Sequence, residues 1–179
     1  MDLKGSKTEV NLMRAWLGEA QTRTKYDFYA SQAKKDGYVQ IAQLFEETAG
    51  NEKEHAKIWF KLLHDGGIAS TPANLADSIV EERKEWTNTY LNFAKEAREE
   101  GFDDIADKFE KVANIEANHE KRYKKLLENI KQDSVFSKDV NVVWQCSNCG
   151  YTVVGKEAPE VCPACDHEQG FFMLKEENY

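Results

Sequence analysis

The sequence has 179 residues, of which 41% are hydrophobic and 31% are charged, and its formal net charge is −8. This composition is typical of a globular protein with one larger domain and one small one. The acidic balance argues against nucleic-acid binding, because phosphate contacts depend on clustered Lys and Arg. No apolar run approaches the ~20 residues that cross a bilayer, and the start lacks the apolar core of a signal peptide, so we expect a cytoplasmic protein without a membrane span.

The first 131 residues contain an internal repeat. A shift of 64 aligns residues 33–55 with residues 97–119, and the apolar residues of both segments have helical spacing. Gly37 and Gly101 occupy equivalent positions between helices, where glycine takes the left-handed conformation at little cost. The repeat therefore predicts two helical hairpins.

Together the hairpins predict an all-α four-helix bundle. Thr8 and Thr71 are the expected N-caps of the first and third helices, since threonine side chains accept hydrogen bonds from free backbone N–H groups. The predicted helices span about 8–36, 38–65, 72–100 and 102–131.

Each predicted helix has an apolar seam with steps of three and four residues, and carboxylates interrupt each seam near its middle. In the second and fourth helices the interruption is a Glu-x-x-His motif. In the first and third it is a glutamate, and in the third a further glutamate follows one turn later. These polar seam residues are Glu19, Glu52, His55, Glu82, Glu85, Glu116 and His119.

Ionised carboxylates in an apolar core cost several kcal/mol each and repel one another, so a cation must compensate them. Carboxylates with a few imidazoles suit iron and manganese. One Glu from each of two helices and Glu-x-x-His from the other two is the known ligand set of di-iron and di-manganese bundles. Solvated surface positions explain a single motif better than they explain two motifs 64 residues apart. Tyr26 and Tyr90, also related by 64, either pack in the core or orient a carboxylate ligand.

All four cysteines lie after residue 145, in two C-x-x-C pairs: Cys146, Cys149, Cys162 and Cys165. Without a secretory address they are better metal ligands than disulfide partners. The spacing fits a tetrathiolate site for iron and a structural zinc ribbon equally well. A polar stretch at 132–139 separates the two regions, and we predict a bundle over 1–135 and a small, mostly β and loop, metal-binding domain over 136–179.

The residues around the cysteines narrow the choice of metal. The sequences CGY at 149–151 and CP at 162–163 resemble rubredoxin, a one-electron iron carrier. Asp166 stands where rubredoxins usually have Gly, and because Asp tolerates the left-handed conformation we expect the turn to form. The aromatic residues available to shield the site are Trp144, Phe171 and Phe172.

A carboxylate bundle followed by CxxCGY and CPxC resembles the rubrerythrin family over nearly the whole chain. The resemblance implies a ferritin-like bundle with a rubredoxin-like domain, and a non-haem di-iron peroxidase that reduces hydrogen peroxide to water in oxidative stress defence. Electrons would come from NADH or NADPH through a separate reductase and the rubredoxin-like iron. The implied di-iron ligands are Glu19, Glu52, His55, Glu82, Glu85, Glu116 and His119, and the mononuclear iron ligands are Cys146, Cys149, Cys162 and Cys165.

The resemblance also implies that His55 and Glu85 exchange as ligands when the redox state changes. The family's third-helix tyrosine is often followed by Pro, whereas Tyr90 is followed by Leu91, a difference that concerns the local helix geometry. Two other functions use similar ligands: ferritin-like iron oxidation and storage, and non-enzymatic binding of iron or zinc.

Distance predicts the oligomeric state. The fourth helix continues about 15 residues past Glu116, which is roughly 22 Å at ~1.5 Å per residue. A cysteine site at the end of its own bundle would be a poor electron donor. We therefore predict a head-to-tail homodimer in which the small domain of one chain lies beside the bundle of the other.

Overall fold

The computed structural model describes residues 2–177. Five α-helices precede a small antiparallel sheet, and a five-residue π-helical segment, Glu85–Thr89, joins the third and fourth into one long helix. The predicted fold class is confirmed. None of the helices within the described residues is both long and apolar enough to span a membrane. The elements are α1 (Lys7–Lys35), α2 (Val39–Leu63), α3 (Thr71–Lys84), α4 (Tyr90–Glu99), α5 (Asp103–Lys131), β1 (Ser137–Cys146), β2 (Thr152–Glu157) and β3 (Phe172–Leu174).

The chain forms two compact units, Met1–Ala69 and Ser70–Tyr179. The first unit contains α1 and α2, which we call the first hairpin. The second contains α3, the π segment, α4 and α5, which we call the second hairpin, followed by the small sheet domain. The predicted boundary at residue 135 lies between α5 and β1 and stays a prediction.

The predicted glycine positions are confirmed. Gly37 and Gly101 have φ values of 84° and 85°. The residue after each glycine donates its N–H back into the helix that has just ended, to Ala33 O and to Ala97 O, both over 2.8 Å. These bonds satisfy carbonyls that a helix end leaves free, so both hairpins turn by the same mechanism.

The two predicted N-caps are wrong by one or two residues. Ser6, not Thr8, caps α1: its hydroxyl accepts the Glu9 N–H over 3.1 Å. The spacing of Ser6 and Glu9 is that of a capping box, a signal present in the sequence. Ser70 precedes α3, and Thr71 is its first residue.

The first hairpin buries small side chains. The fully buried residues of α1 and α2 are all alanines: Ala30, Ala33, Ala42, Ala49 and Ala56. Small residues let the two helices approach closely, while rings pack beside them. Trp16 and Phe60 meet edge to face with centroids 5.4 Å apart, and Tyr26 lies 5.8 Å from Phe45.

In the second hairpin, α3, the π segment and α4 pack along α5, and the buried apolar residues are again alanines: Ala94, Ala97, Ala106 and Ala113. Phe109 packs against the first three. The prediction of an uninterrupted third helix is wrong because the π segment intervenes. The first hairpin spaces Glu19 and Tyr26 seven residues apart, whereas Glu82 and Tyr90 are eight apart, and a π-helical turn takes up the extra residue.

The small domain is a three-stranded antiparallel sheet in the order β2-β1-β3. Trp144, on the central strand, pairs with Val153 on one side and Leu174 on the other. Its ring is 1% exposed, and its Nε1 donates to Gly155 O over 3.2 Å. The core of the domain consists of Trp144, Cys146, Ala158, Cys162 and Phe172. Two of the four cysteines are thus part of the core.

Candidate metal centres

The first hairpin brings together three of the predicted ligands. Glu19 comes from α1 and Glu52 and His55 from α2, and one ligand atom from each lies within 4.8 Å of the others. His55 Nδ1 is 2.9 Å from Glu52 Oε2 and 4.0 Å from Glu19 Oε2. The i, i+3 spacing puts the imidazole and the carboxylate on one helix face, as the motif predicted.

The second hairpin repeats this arrangement. Glu82 from α3 and Glu116 and His119 from α5 also place ligand atoms within 4.8 Å of one another. His119 Nδ1 is 2.7 Å from Glu116 Oε2 and 3.5 Å from Glu82 Oε2. The side chains of Glu82 and Glu116 are 19% and 14% exposed. Each hairpin therefore carries an equivalent group of two carboxylates and one imidazole.

The chemistry of the second group suits a cation. Glu82 Oε2 is buried and has no hydrogen-bond partner among the described residues. Burial raises the pKa of Glu82 above its usual value, and a hydrogen bond with Glu116 and its charge raise it further. A bound metal ion would satisfy the free oxygen and remove the repulsion. The residues present thus fit the metal that the sequence predicted.

Glu85, the seventh predicted ligand, is the first residue of the π segment. Its pKa is raised by burial and then by the charge of Glu116, so its carboxylate lies near the second group. The repeat offset changes from 63 at Glu82 to 64 at Tyr90 because the helix has gained one residue between them. The changing offset was visible in the sequence and marked the π segment.

Tyr26 and Tyr90 occupy equivalent places in the two hairpins. Tyr26 packs on Phe45 at 5.8 Å, and Tyr90 packs on Phe109 at 6.1 Å, in both cases with tilted rings. Burial raises the pKa of Tyr90, and the charges of Glu85, Glu116 and Glu82 add to that effect. Tyr90 therefore packs in the core and also keeps a protonated hydroxyl in the field of these carboxylates.

Sequence reasoning missed a carboxylate beside the second group. Glu120 is 4% exposed and accepts hydrogen bonds from Arg83 Nε over 2.7 Å and Trp86 Nε1 over 2.8 Å. Lys124 Nζ lies 2.6 Å away. The Lys124 hydrogen bond, opposed by burial and helped by Arg83 and Trp86, lowers the pKa of Glu120 to about 2. This network ties α3 and the π segment to α5 next to His119.

The four cysteines form a third group, with ligand atoms within 4.8 Å of one another. Cys146 Sγ is 3.8 Å from Cys165 Sγ, and Cys149 Sγ is 3.7 Å from Cys162 Sγ. A tetrahedral metal with metal–sulfur bonds of about 2.3 Å separates its sulfurs by about 3.8 Å. The thiols are therefore spaced for one metal ion.

Matching turns hold the two C-x-x-C pairs. The N–H of Gly150 donates to Cys146 O, and the N–H of Asp166 donates to Cys162 O, both over 2.9 Å. Asp166 has a φ of 59°, so the predicted left-handed turn at this residue is confirmed. Burial raises the pKa of Cys165, but hydrogen bonds from the Cys149 thiol and the His167 backbone outweigh it and lower that pKa to about 6.

The cysteine group is buried on one side only. Cys146 and Cys162 are fully buried, whereas Cys149 is exposed. Of the three aromatic residues expected to shield it, Trp144 and Phe172 are buried and Phe171 is 42% exposed. Phe171 also meets the His167 ring edge to face at 4.4 Å.

Comparison with known proteins agrees with this arrangement. The rubrerythrin family model matches residues 10–72 and 73–147, and the model for the rubrerythrin rubredoxin-like domain matches residues 144–173. The chain belongs to the rubrerythrin family. Its carboxylate–histidine groups and its four-cysteine group are accordingly the iron sites of a rubrerythrin, a di-iron centre and a rubredoxin-like iron.

Individual rubrerythrins match over almost their whole length. Rubrerythrin-1 of Clostridium acetobutylicum is 46% identical over 192 residues, covering 99% of this chain and 98% of its own. Rubrerythrin of Porphyromonas gingivalis is 47% identical, covering 99% and 94%. The solved structure of partially reduced nigerythrin matches 97% of this chain and 91% of its own at 29% identity, with a TM-score of 0.37.

Proposed function

We propose that this rubrerythrin is a peroxidase that reduces hydrogen peroxide to water at its di-iron centre. The observation that carries the proposal is the pair of equivalent carboxylate–histidine groups, one of which contains a buried carboxylate oxygen without a hydrogen-bond partner, in the same chain as a four-thiolate site. The first supplies a place for two irons. The second supplies a one-electron carrier, which iron storage does not need.

The proposed reaction takes two electrons and two protons for each peroxide: the O–O bond breaks and two water molecules form. Two ferrous ions, when bound, supply one electron each. The residues proposed to hold them are Glu19, Glu52, His55, Glu82, Glu85, Glu116 and His119. Their negative charges offset the positive charge of the irons, so the pair can sit between apolar seams.

Two further roles are proposed for residues of this chain. Tyr90, whose pKa is raised by burial and nearby carboxylates, holds a proton beside the site and orients a carboxylate, and Tyr26 does the same in the first hairpin. Glu85 and His55 exchange as ligands with the redox state. Support comes from their surroundings, since Glu85 lies in a π segment, a feature frequent at functional sites, and the His55 side chain is 51% exposed.

Electrons are proposed to come from an NAD(P)H-dependent reductase through the four-cysteine iron. Exposed Cys149 offers a contact edge, and residues 132–179 carry eight acidic and three basic side chains. A reductase with a basic docking face fits this surface, and its rate should fall with added salt. We further propose a cytoplasmic location and a head-to-tail homodimer.

Peroxide turnover with NADH and a reductase tests the function. The wild-type protein should consume NADH and peroxide in equal amounts. Cys162→Ser should abolish this turnover, yet its chemically reduced bundle should still react once with peroxide. Ser147→Ala, which leaves the thiols intact, is the control. Iron loading without a reductase, and no peroxide turnover with one, would establish ferritin-like storage instead.

A further inference from the structure

The segment between the two hairpins is short. Residues 64–70 join α2 to α3. The first half of this link is a turn, in which the Gly66 N–H donates to Lys61 O over 2.7 Å and both Asp65 and Gly66 have positive φ. Only residues 68–70 remain to cover distance, and three extended residues span about 10 Å.

A ferritin-like bundle needs a long connection at this place. Such bundles contain one crossover that runs along the helices, and the other two helix–helix links of this chain have only three residues each. Leu63 lies about ten residues beyond the level of the first ligand group, and Thr71 lies eleven residues before Glu82. The crossover must therefore cover roughly 31 Å at ~1.5 Å per residue. Seven residues reach about 25 Å fully extended, and this link is partly turned.

Each hairpin also lacks a cover for its seam. The first hairpin has a buried Trp59 Nε1 with no hydrogen-bond partner among the described residues, and the second has the free Glu82 Oε2. Large seam side chains, expected in a bundle core, are instead nearly half exposed: Ile41 at 47%, Leu62 at 49%, Phe93 at 44%, Ile105 at 46% and Leu126 at 44%. Such exposed apolar surface marks a docking face.

We propose that two copies of this chain exchange hairpins. The first hairpin of one copy packs on the second hairpin of the other, so that each di-iron site takes Glu19, Glu52 and His55 from one chain and the remaining ligands from its partner. Two-fold symmetry makes the two sites equivalent. The exchange rests on the proposed di-iron centre and adds that a single chain cannot complete it.

Mixed dimers test the exchange by iron content. A Glu52→Ala chain and a Glu116→Ala chain are given different tags and refolded together, and the heterodimer is isolated with both tags. In an exchanged heterodimer one site carries both substitutions and the other carries neither. It should bind two bundle irons, half the wild-type dimer's content, whereas each mutant homodimer should bind none. Bundles closed within single chains would leave both sites damaged, and a heterodimer without bundle iron would overturn the proposal.

The matched control pairs Glu52→Ala with Glu19→Ala, two substitutions in the same hairpin. Every site of that heterodimer is damaged under either arrangement, so it should bind no bundle iron. The wild-type dimer measured alongside separates the two proposals. Four bundle irons support the di-iron centre whatever the heterodimer shows, and no bundle iron would overturn that centre and the exchange together.

Lengthening the link gives a second readout. An insertion of about 14 Gly and Ser residues between Gly66 and Gly67 gives one chain enough length to close its own bundle. Light scattering should then show monomers that hold two bundle irons each. The same insertion between Asp133 and Ser134 should leave the dimer unchanged. Dimers of unaltered mass after the first insertion would contradict the exchange.

Discussion

The two hairpins share one plan and differ at one side of the metal group. Both turn at a left-handed glycine, bury alanines and present two carboxylates and a histidine. Only the second adds a π segment with Glu85, and only the second anchors its helices through Glu120, whose repeat counterpart is Ala56. The shared part is what two metal ions need. The added part places extra negative charge beside one half of the site, where a change of ligand can occur.

The largest expected effect tests the shared plan. Glu52→Ala and Glu116→Ala should each abolish di-iron binding, because each removes one carboxylate from an equivalent group. Iron analysis should show about one iron per chain in both, held by the cysteines, against about three in the wild type. Two bundle irons retained by either variant would break the equivalence of the hairpins.

The next effect tests the added carboxylate. Glu85→Ala should keep two bundle irons, because the six residues common to both hairpins remain, but should lower peroxide turnover by about 10- to 100-fold. Gln21→Ala, at the repeat counterpart of Glu85, is the control and should turn over as the wild type does. Equal rates in the two variants would remove the functional asymmetry.

A smaller effect concerns the Glu120 network. Glu120→Gln keeps the shape but loses the charge that Arg83, Trp86 and Lys124 face. The free energy of unfolding should fall by about 2 kcal/mol, the usual worth of hydrogen bonds to a charged group. Thermal unfolding measures it, and exposed Glu128→Gln on the same helix should change the midpoint little. A similar loss at Glu128 would show a general charge effect.

The smallest effect tests the turns. Gly37→Ala and Gly101→Ala should each lower the free energy of unfolding by about 1 kcal/mol, because both positions have positive φ and open space around them. Gly50→Ala, within α2 and without positive φ, should instead stabilise by up to about 1 kcal/mol. Unequal costs at Gly37 and Gly101 would show that the hairpins turn differently.

The repeat predicted the hairpins, their turns and the composition of both ligand groups because helical spacing fixes which residues share a face. The position of Asp166 predicted its left-handed turn for a similar local reason. Glu120 could not be found this way, since it lies off the apolar seam and its partners Arg83 and Trp86 are more than 30 residues distant in sequence. The seam also predicted fully buried Ile41 and Leu62, but a single chain leaves them half exposed, because burial depends on what packs against a face.

The single extra residue between Glu82 and Tyr90 has an evolutionary consequence. A duplicated hairpin starts with identical spacing in both copies, and an insertion into one copy would normally rotate everything after it by about 100° around the helix. The π turn absorbs the insertion locally, so Tyr90, Phe93 and Phe109 keep the arrangement of Tyr26, Tyr29 and Phe45. The duplicated half could thus acquire a new carboxylate without losing the packing inherited from its ancestor.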